Sequence, residues 1–403
     1  MSTAQINVHT QEFLENPNAA LGCPHGRIKH LEGLSGPEFV GYETVRDVFR
    51  DARVRPKTAQ VYLDMGVRED SVIMEFLRKG NFNMMSNENH ARIRPIIIKG
   101  FRPARIRAAE GMIRTIATEL VDEMIAKGSP ADLVADFSHH LSIRTISGFI
   151  GVPPEDVHEF ESATVELILL GTVPFAPVIP RLEAALTKIH GYVASLIARR
   201  RAERREDFIS DLVTLQEEGD DLSEDELIWS IVFVLLAGHD TTRAQIASTA
   251  RLLIESGSWE QGAGDEKLVA AAVSEALRLY PAAYRFPRLA QEPLTVEDVD
   301  FEPGDLFAVN LAAAGRDPEV FEDPDSFVPG RERTFDIGFG FGGHHCIGWA
   351  LATAEITQSM LELTSRLTDV QLHSDVVYKT GGTIGGPERV EISFTPRTTG
   401  GVA

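Results

Sequence analysis

Cysteine is scarce in this chain, which has only Cys23 and Cys346 among its 403 residues. Two cysteines cannot build the disulfide framework of a small secreted protein, and an iron–sulfur cluster would need four thiolates. Long apolar runs are missing as well. The longest, Ile228–Ala237, is shorter than a membrane span and is typical of a buried helix. The N-terminus lacks the basic and apolar parts of a signal peptide, so we expect a soluble, cytoplasmic protein.

Positive charge is in deficit, with 39 Lys and Arg against 60 Asp and Glu, which gives a net charge of −21. Such an acidic chain is a poor candidate for binding nucleic acid or an anionic membrane surface. The apolar fraction of 43% and the charged fraction of 25% are ordinary for a globular protein that buries a large core.

Helical periodicity dominates residues 87–282 and returns over 339–369. Short strand-like pieces, separated by turns, occupy three other stretches of the chain, at about 28–80, 283–335 and 370–398. These pieces lie far apart in sequence but can pair in space. The order therefore predicts a single domain over 1–403 that is mainly α, with a smaller β-rich lobe.

One cysteine is presented on a glycine-rich loop, FGFGGHHCIG, just before an apolar helix that starts near Trp349. A thiol at this position lies where the helix dipole and the free N–H groups favour the thiolate. Gly340, Gly342 and Gly348 allow the backbone to turn sharply and to approach a flat partner. The loop thus indicates that Cys346 binds a soft metal, and haem iron is one such metal.

Two neighbours of the cysteine fit this interpretation, since Phe339 can keep water from the sulfur and His344 can donate to an anionic group at the partner's edge. A buried, inert cysteine remains the default for a lone thiol. A zinc site of His344, His345 and Cys346 is a further alternative, but adjacent side chains diverge and no second ligand cluster is present.

The segment AGHDTT, which is Ala237–Thr242, lies inside a long apolar helix although Gly, Asp and Thr are poor mid-helix residues. Small residues let a bulky group lie against the helix, and Thr241 can bond back to a carbonyl group. Asp240 with Thr241 forms an acid–hydroxyl pair that could pass protons to a bound ligand. A kinked core helix with a solvated Asp240 is the equal alternative.

Several charged side chains are candidates for partners that are not local. Glu275 and Arg278 are three apart on one helical face that is otherwise apolar, which favours a buried, networked pair. Arg288 is the one charged residue in a short apolar segment, PRLA, that has the pattern of a strand. Together with His90, Arg94 and His344 it offers donors that suit two carboxylates.

Taken together, the loop FGFGGHHCIG, the segment AGHDTT, the helix EALR followed by Arg288, and the pieces HARIR and AAGRDP resemble the signature set of the cytochrome P450 family. They occur in that family's order and at compatible separations. The resemblance extends from about residue 28 to residue 395 and is strongest to the soluble bacterial branch. One departure is Gly315, which stands where the family often has Asn.

The resemblance implies the P450 fold, with a b-type haem between the long central helix and the cysteine loop, and Cys346 as the axial thiolate ligand of the iron. It implies that the haem propionates are held by His90, Arg94, Arg288 and His344. The whole implied cofactor-binding set is His90, Arg94, Ala237, Arg288, Phe339, Gly340, His344, Cys346 and Gly348.

The resemblance also implies a monooxygenase that inserts one atom of O2 into a C–H bond of a small, largely apolar organic molecule. Asp240 and Thr241 would deliver the protons for O–O cleavage. Glu275 and Arg278 would form a structural network with Arg331 or Arg333. Electrons would come from separate proteins, a ferredoxin and its reductase or a flavodoxin, because no flavin or iron–sulfur domain is fused to the chain.

The same resemblance assigns walls of a substrate pocket, in part to a turn-rich stretch, 56–86, that we expect to be a flexible loop over the site. Arg285 is the one charged member, and it could pair with an anionic substrate group, a propionate or water. The implied pocket set is Met84, Met85, Ile168, Leu169, Phe175, Leu236, Arg285, Phe286 and Ile384. Two rival functions stay open, a haem-based gas sensor and a peroxide-driven peroxygenase.

Overall fold

The computed structural model describes residues 28–30, 36–56, 58–171, 175–332, 337–378 and 384–397. Over these ranges the chain is mainly helical with a smaller β portion, which confirms the predicted fold class. The α-helices in chain order are α1 Tyr42–Arg50, α2 Gln60–Asp64, α3 Val72–Lys79, α4 Asn87–Lys99, α5 Pro103–Lys127, α6 His139–Ile150, α7 Val157–Leu167, α8 Ile179–Ala202, α9 Phe208–Glu217, α10 Glu224–Glu255, α11 Glu266–Leu279, α12 Leu311–Ala314 and α13 Trp349–Arg366.

The strands of the described ranges form four sheets. In chain order they are β1 Ile28–His30, β2 Pro37–Phe39, β3 Val54–Pro56, β4 Ala131–Asp132, β5 Arg285–Ala290, β6 Leu294–Val296, β7 Val299–Phe301, β8 Leu306–Asn310, β9 Leu367–Leu372, β10 Val377–Tyr378, β11 Pro387–Arg389 and β12 Glu391–Pro396. The largest sheet has the order β1-β2-β8-β5-β3 and is antiparallel except for the parallel pair β2–β8. Smaller sheets pair β4-β12-β9, β10-β11 and β6-β7.

Helix α10 is the longest helix of the described chain, with 32 residues, and it runs through the core. Its start is fixed by a capping box, in which the Ser223 hydroxyl accepts from the N–H of Glu226 and the Glu226 carboxylate accepts from the N–H of Ser223. The first half of α10 packs in one apolar cluster with α3, α4, α8 and α9. The second half packs in another cluster with α5, α11 and α13. The helix therefore spans both helical cores and presents its centre between them.

A third apolar cluster joins the five-stranded sheet to α1. The buried face of α1 carries Tyr42, Val45, Val48 and Phe49, at the spacing of an amphipathic helix. These side chains pack against residues of β2 and β5–β8. This cluster borders the cysteine loop, since the Phe341 ring lies 6.0 Å from the rings of both Tyr42 and Phe49.

The prediction of a flexible loop over 56–86 was wrong, because α2 and α3 lie within it. Helix α3 buries Ile73, Met74, Phe76 and Leu77, and the hydroxyl of Ser71 caps its first turn by accepting from the Met74 N–H. The stretch 28–80, assigned above to the β-rich lobe, therefore also contains three helices, α1 to α3. None of the described helices combines the length and the apolar character that crossing a bilayer would require.

Candidate active site

The cysteine loop is held in shape by two short 3₁₀ turns, Ile337–Phe339 and Gly342–His344, that precede α13. Gly342 has a φ of +66°, and a Cβ atom there would lie only 2.6 Å from the backbone oxygen of Phe49. Glycine is required at this position, because any side chain would meet both strain and backbone. The loop closes on itself through a 2.9 Å hydrogen bond in which the Cys346 N–H donates to the Phe339 carbonyl oxygen.

The Cys346 thiol lies half-buried at the end of this loop. Burial raises its pKa above the ordinary value, whereas the N–H of Gly348 and the nearby Arg94 guanidinium both lower it. Arg94 reaches the loop from α4 and donates to the carbonyl oxygen of His345. Because burial dominates, the isolated thiol is neutral at pH 7, and a bound metal cation is needed to hold it as a thiolate.

Two histidines stack beside the cysteine. The His90 ring from α4 lies 4.1 Å from the His344 ring, centroid to centroid. Burial is the main cause that lowers the pKa of His90 to about 4 and that of His344 to about 3. Within the part of the chain that the structure describes, His90 Nε2 and His344 Nδ1 are buried without a hydrogen-bond partner. Such orphaned donors indicate a missing polar ligand.

Arg288 on β5 completes this group of donors. Only 4% of its surface is exposed, and burial lowers its pKa to about 10. Its guanidinium lies 4.3 Å from the centre of the Phe49 ring and donates to the Pro287 carbonyl oxygen. Among the described residues neither Arg94 nor Arg288 has a carboxylate partner. A buried guanidinium such as that of Arg288 is costly without a counter-charge, so this site fits an anionic ligand such as a pair of propionates.

The centre of α10 leaves part of its surface uncovered. Leu236, Ala237, Gly238 and Thr241 are half-buried, although the helix is almost fully buried on either side of them. The Thr241 hydroxyl donates to the Ala237 carbonyl oxygen at 2.7 Å, which is the back-bond expected from the sequence. Three of these side chains are small or absent, so a flat group can approach the helix here.

Asp240 is buried, with 3% of its surface exposed, and is not the solvated aspartate of the alternative interpretation. Its Oδ1 accepts from Arg243 at 2.9 Å (Nε) and 2.8 Å (Nη2). Arg243 in turn donates to the carbonyl oxygen of Pro387 at 3.0 Å. Sequence reasoning missed Arg243, although its spacing of three residues from Asp240 on one helix was a usable signal.

Glu275 and Arg278 on α11 form a fully buried pair, with 2.7 Å between Glu275 Oε1 and Arg278 Nη2. Arg331 joins them at 3.1 Å from the same carboxylate, whereas Arg333, the other candidate, lies outside the described residues. Arg278 also donates to the carbonyl oxygen of Gly315 at 2.6 Å. A Cβ at Gly315 would lie 2.2 Å from the Arg278 backbone oxygen, so the departure from Asn at this position suits the close contact here.

The apolar pocket candidates divide by exposure. Met85 and Phe175 are buried in the core, with 6% and 4% of their surface exposed, and the Phe175 ring packs 5.1 Å from Tyr62. The side chain of Ile168 lies outside the described residues. The candidates that retain partly exposed side chains are Met84, Leu169, Leu236, Phe286 and Ile384.

Arg285 has a partner that sequence reasoning did not consider. Its Nε donates to Oε2 of Glu38 on β2 at 2.7 Å, and Asn310 Nδ2 donates to the other carboxylate oxygen at 2.7 Å. Both charged side chains are buried. The expectation that Arg285 pairs with a substrate, a propionate or water was therefore wrong, because Glu38 already neutralises it.

Comparison with known proteins agrees with this geometry. The cytochrome P450 family model matches residues 265–368. The chain is 32% identical to mycinamicin IV hydroxylase/epoxidase of Micromonospora griseorubida over 87% of this chain and 86% of the relative. It is 31% identical to the cytochrome P450 monooxygenase PikC of Streptomyces venezuelae over 87% and 82%.

Among solved structures, CalO2 superposes with a TM-score of 0.90 at 22% identity, over 98% of this chain and all of that one. At this identity the likeness concerns the fold. The fit of the site to a flat, dianionic metal cofactor and the identity to curated relatives lead to the same conclusion. The chain belongs to the cytochrome P450 family, and it is a haem-thiolate monooxygenase whose cofactor is haem b with Cys346 as the axial ligand.

Proposed function

We propose that this monooxygenase inserts one oxygen atom from O2 into a C–H bond of a small, largely apolar organic molecule. The observation that carries the proposal is the set of partly exposed apolar side chains, Met84, Leu169, Leu236, Phe286 and Ile384, together with the acid–hydroxyl pair on α10. Apolar walls with few polar groups favour an apolar ligand. Curated relatives whose names include hydroxylase support the type of reaction.

In this proposal the chain's own residues hold and orient the cofactor. Cys346 binds the iron, and His90, Arg94, Arg288 and His344 hold the two propionates by charge-assisted hydrogen bonds. The bound cofactor would lie against Ala237, Phe339, Gly340 and Gly348. The haem, when bound, supplies the iron at which O2 is reduced.

Thr241 and Asp240 manage protons in this scheme. The Thr241 hydroxyl donates its hydrogen to the Ala237 carbonyl oxygen. The lone pairs of the hydroxyl oxygen can therefore accept a hydrogen bond from a bound ligand or water. Asp240 accepts from Arg243, so its carboxylate is paired and held in one orientation. Asp240, paired with Arg243, and Thr241, bonded to the helix backbone, are therefore suited to relay protons rather than to bind substrate.

Electron delivery is the remaining part of the proposal. We infer that a separate ferredoxin with its reductase, or a flavodoxin, reduces the enzyme in the cytoplasm. The scarcity of cysteine supports this, since two thiolates cannot hold a cluster. NADH consumption that requires both added proteins would support the inference.

The first experiment is a reduced-CO difference spectrum of the purified holoprotein, compared with Cys346→Ala. A strongly red-shifted Soret band that is lost in the variant supports the thiolate ligand, and its persistence in the variant contradicts it. Apolar compounds are then titrated, and the shift of the haem absorption band is recorded. Leu236→Phe should weaken this shift, whereas Leu361→Phe, a half-buried leucine of another cluster, should not.

Thr241→Ala tests the proton relay. We expect reductant consumption to continue while product per NADH falls by an order of magnitude, because proton delivery contributes roughly 10²–10⁴-fold in enzymes. Thr241→Ser keeps the hydroxyl and should keep most of the coupling. Equal coupling in Thr241→Ala and the native enzyme would remove Thr241 from the relay.

A further inference from the structure

A second cluster of metal-ligating side chains lies outside the haem site. His139 and His140 begin α6, and Glu161 lies on α7. One ligand atom from each of the three lies within 4.8 Å of the others. All three side chains are half-buried, so they are neither freely solvated nor sealed in the core.

The contacts within the cluster bring imidazole and carboxylate together. His139 Nε2 lies 2.6 Å from Glu161 Oε1, and the rings of His139 and His140 lie 5.3 Å apart. Neutral imidazole and ionised carboxylate are the protonation states that bind a metal.

A third histidine provides an independent observation. His239 on α10 is 98% buried, its ring lies 5.0 Å from that of His139, and both of its ring nitrogens lack a hydrogen-bond partner among the described residues. A buried imidazole with two unpartnered nitrogens is costly, and the cost indicates a ligand that the other contacts do not supply.

We infer that His139, His140 and Glu161 form a binding site for a divalent transition-metal ion of the zinc type, with the buried His239 ring packed against it. Imidazole and carboxylate are ligands that Zn²⁺ accepts, and two histidines with one glutamate leave a fourth coordination position. Mg²⁺ and Ca²⁺ prefer sites made only of oxygen ligands, so a site with two imidazoles does not favour them. Metal binding would replace the hydrogen bond between His139 and Glu161 by two bonds to the ion. It involves no redox step.

The bound ion would connect α6 to α7 and would adjoin α10 one residue before Asp240. It would therefore cross-link two helices that His139 and Glu161 already bring into contact. Any ligand that binds only the folded chain raises its apparent stability. We expect micromolar Zn²⁺ to raise the thermal unfolding midpoint by several degrees.

The test uses the untagged holoprotein and zinc chloride. Competition with a chromophoric chelator should reveal one Zn²⁺ site per chain, and Glu161→Gln and His139→Asn should each weaken it at least tenfold. His373→Asn changes an exposed histidine elsewhere and should leave it intact. Absence of a saturable site, or equal affinity in all variants, would overturn the inference.

A second measurement covers the case in which a variant does not fold. Crystals of the native holoprotein soaked in zinc chloride should show anomalous scattering at the zinc edge between α6 and α7. The haem iron gives a separate peak, so the two sites are resolved in one map. Zinc density only at other positions would contradict the assignment.

Discussion

Glu38 offers the sharpest test of how the fold is stabilised. Its carboxylate is 1% exposed and accepts from Arg285 Nε and Asn310 Nδ2, each at 2.7 Å. Glu38→Leu would leave the Arg285 charge buried and unpaired, and it would leave the Asn310 amide without its acceptor. Removing one partner of a buried pair costs about 3–5 kcal/mol of the free energy of unfolding.

The charge and its burial can be separated with a second variant. Glu38→Leu with Arg285→Leu removes both charges, and replacement of a buried pair by apolar groups is often neutral. Asn310 Nδ2 stays without its acceptor at a cost of roughly 1–3 kcal/mol, so we expect the double variant to recover only part of the loss. Destabilisation greater for the single than for the double variant is the distinguishing result.

Urea titration of the holoprotein, followed by far-UV circular dichroism, measures these differences in the free energy of unfolding. The comparison holds where the variants share the same dependence of that free energy on urea concentration. The control is Glu166→Leu, which breaks a contact of 2.8 Å with Arg181 whose side chains are 29% and 63% exposed. Exposed pairs are worth about 0–1 kcal/mol, so this control should change little. Equal losses for Glu38→Leu and Glu166→Leu, or no recovery in the double variant, would refute the reasoning.

Two further predictions concern the neighbourhood of the cysteine loop and α13. Gly342→Ala should reduce haem retention and the thiolate spectrum, whereas Gly343→Ala should not, since no atom lies within 4 Å of a Cβ at Gly343. Burial raises the pKa of Glu355 well above 4.5, so its stabilising contribution is present below pH 4.5 and is lost as the pH rises through the folded pKa. Glu355→Gln should therefore gain stability relative to the native chain as the pH is raised from 4.5 toward the folded pKa, because the native carboxyl must then ionise while buried. An unchanged difference across this range would contradict the prediction.

Local patterns carried most of what the sequence could predict. Two features belong to short segments: the glycines around Cys346, and the polar residues Asp240 and Thr241 that interrupt an apolar helix. The cysteine loop and the centre of α10 were therefore recognisable from the sequence. The capped, amphipathic α3 also had local signals, Ser71 and the apolar spacing after it, and the turn-rich residues around it concealed them.

Partners distant in sequence were not predictable in this way. Nothing near Arg285 indicates Glu38, which lies 247 residues earlier, because a parallel pairing of strands decides their meeting. The adjacent histidines 139 and 140 are visible in the sequence, yet Glu161 and His239 come to them from two other helices. Helix packing, rather than periodicity, creates that cluster.

The parallel pairing of β2 with β8 also has a consequence for how the chain is made. Residues 38 and 39 pair with 308 and 309, so the central sheet cannot close until three-quarters of the chain has left the ribosome. Closing so long a loop is entropically costly and slows folding. Helices α4 to α11 are synthesised in that interval and can pack first. One edge of β2 therefore stays unpaired until β8 is available, which is translated about 270 residues later.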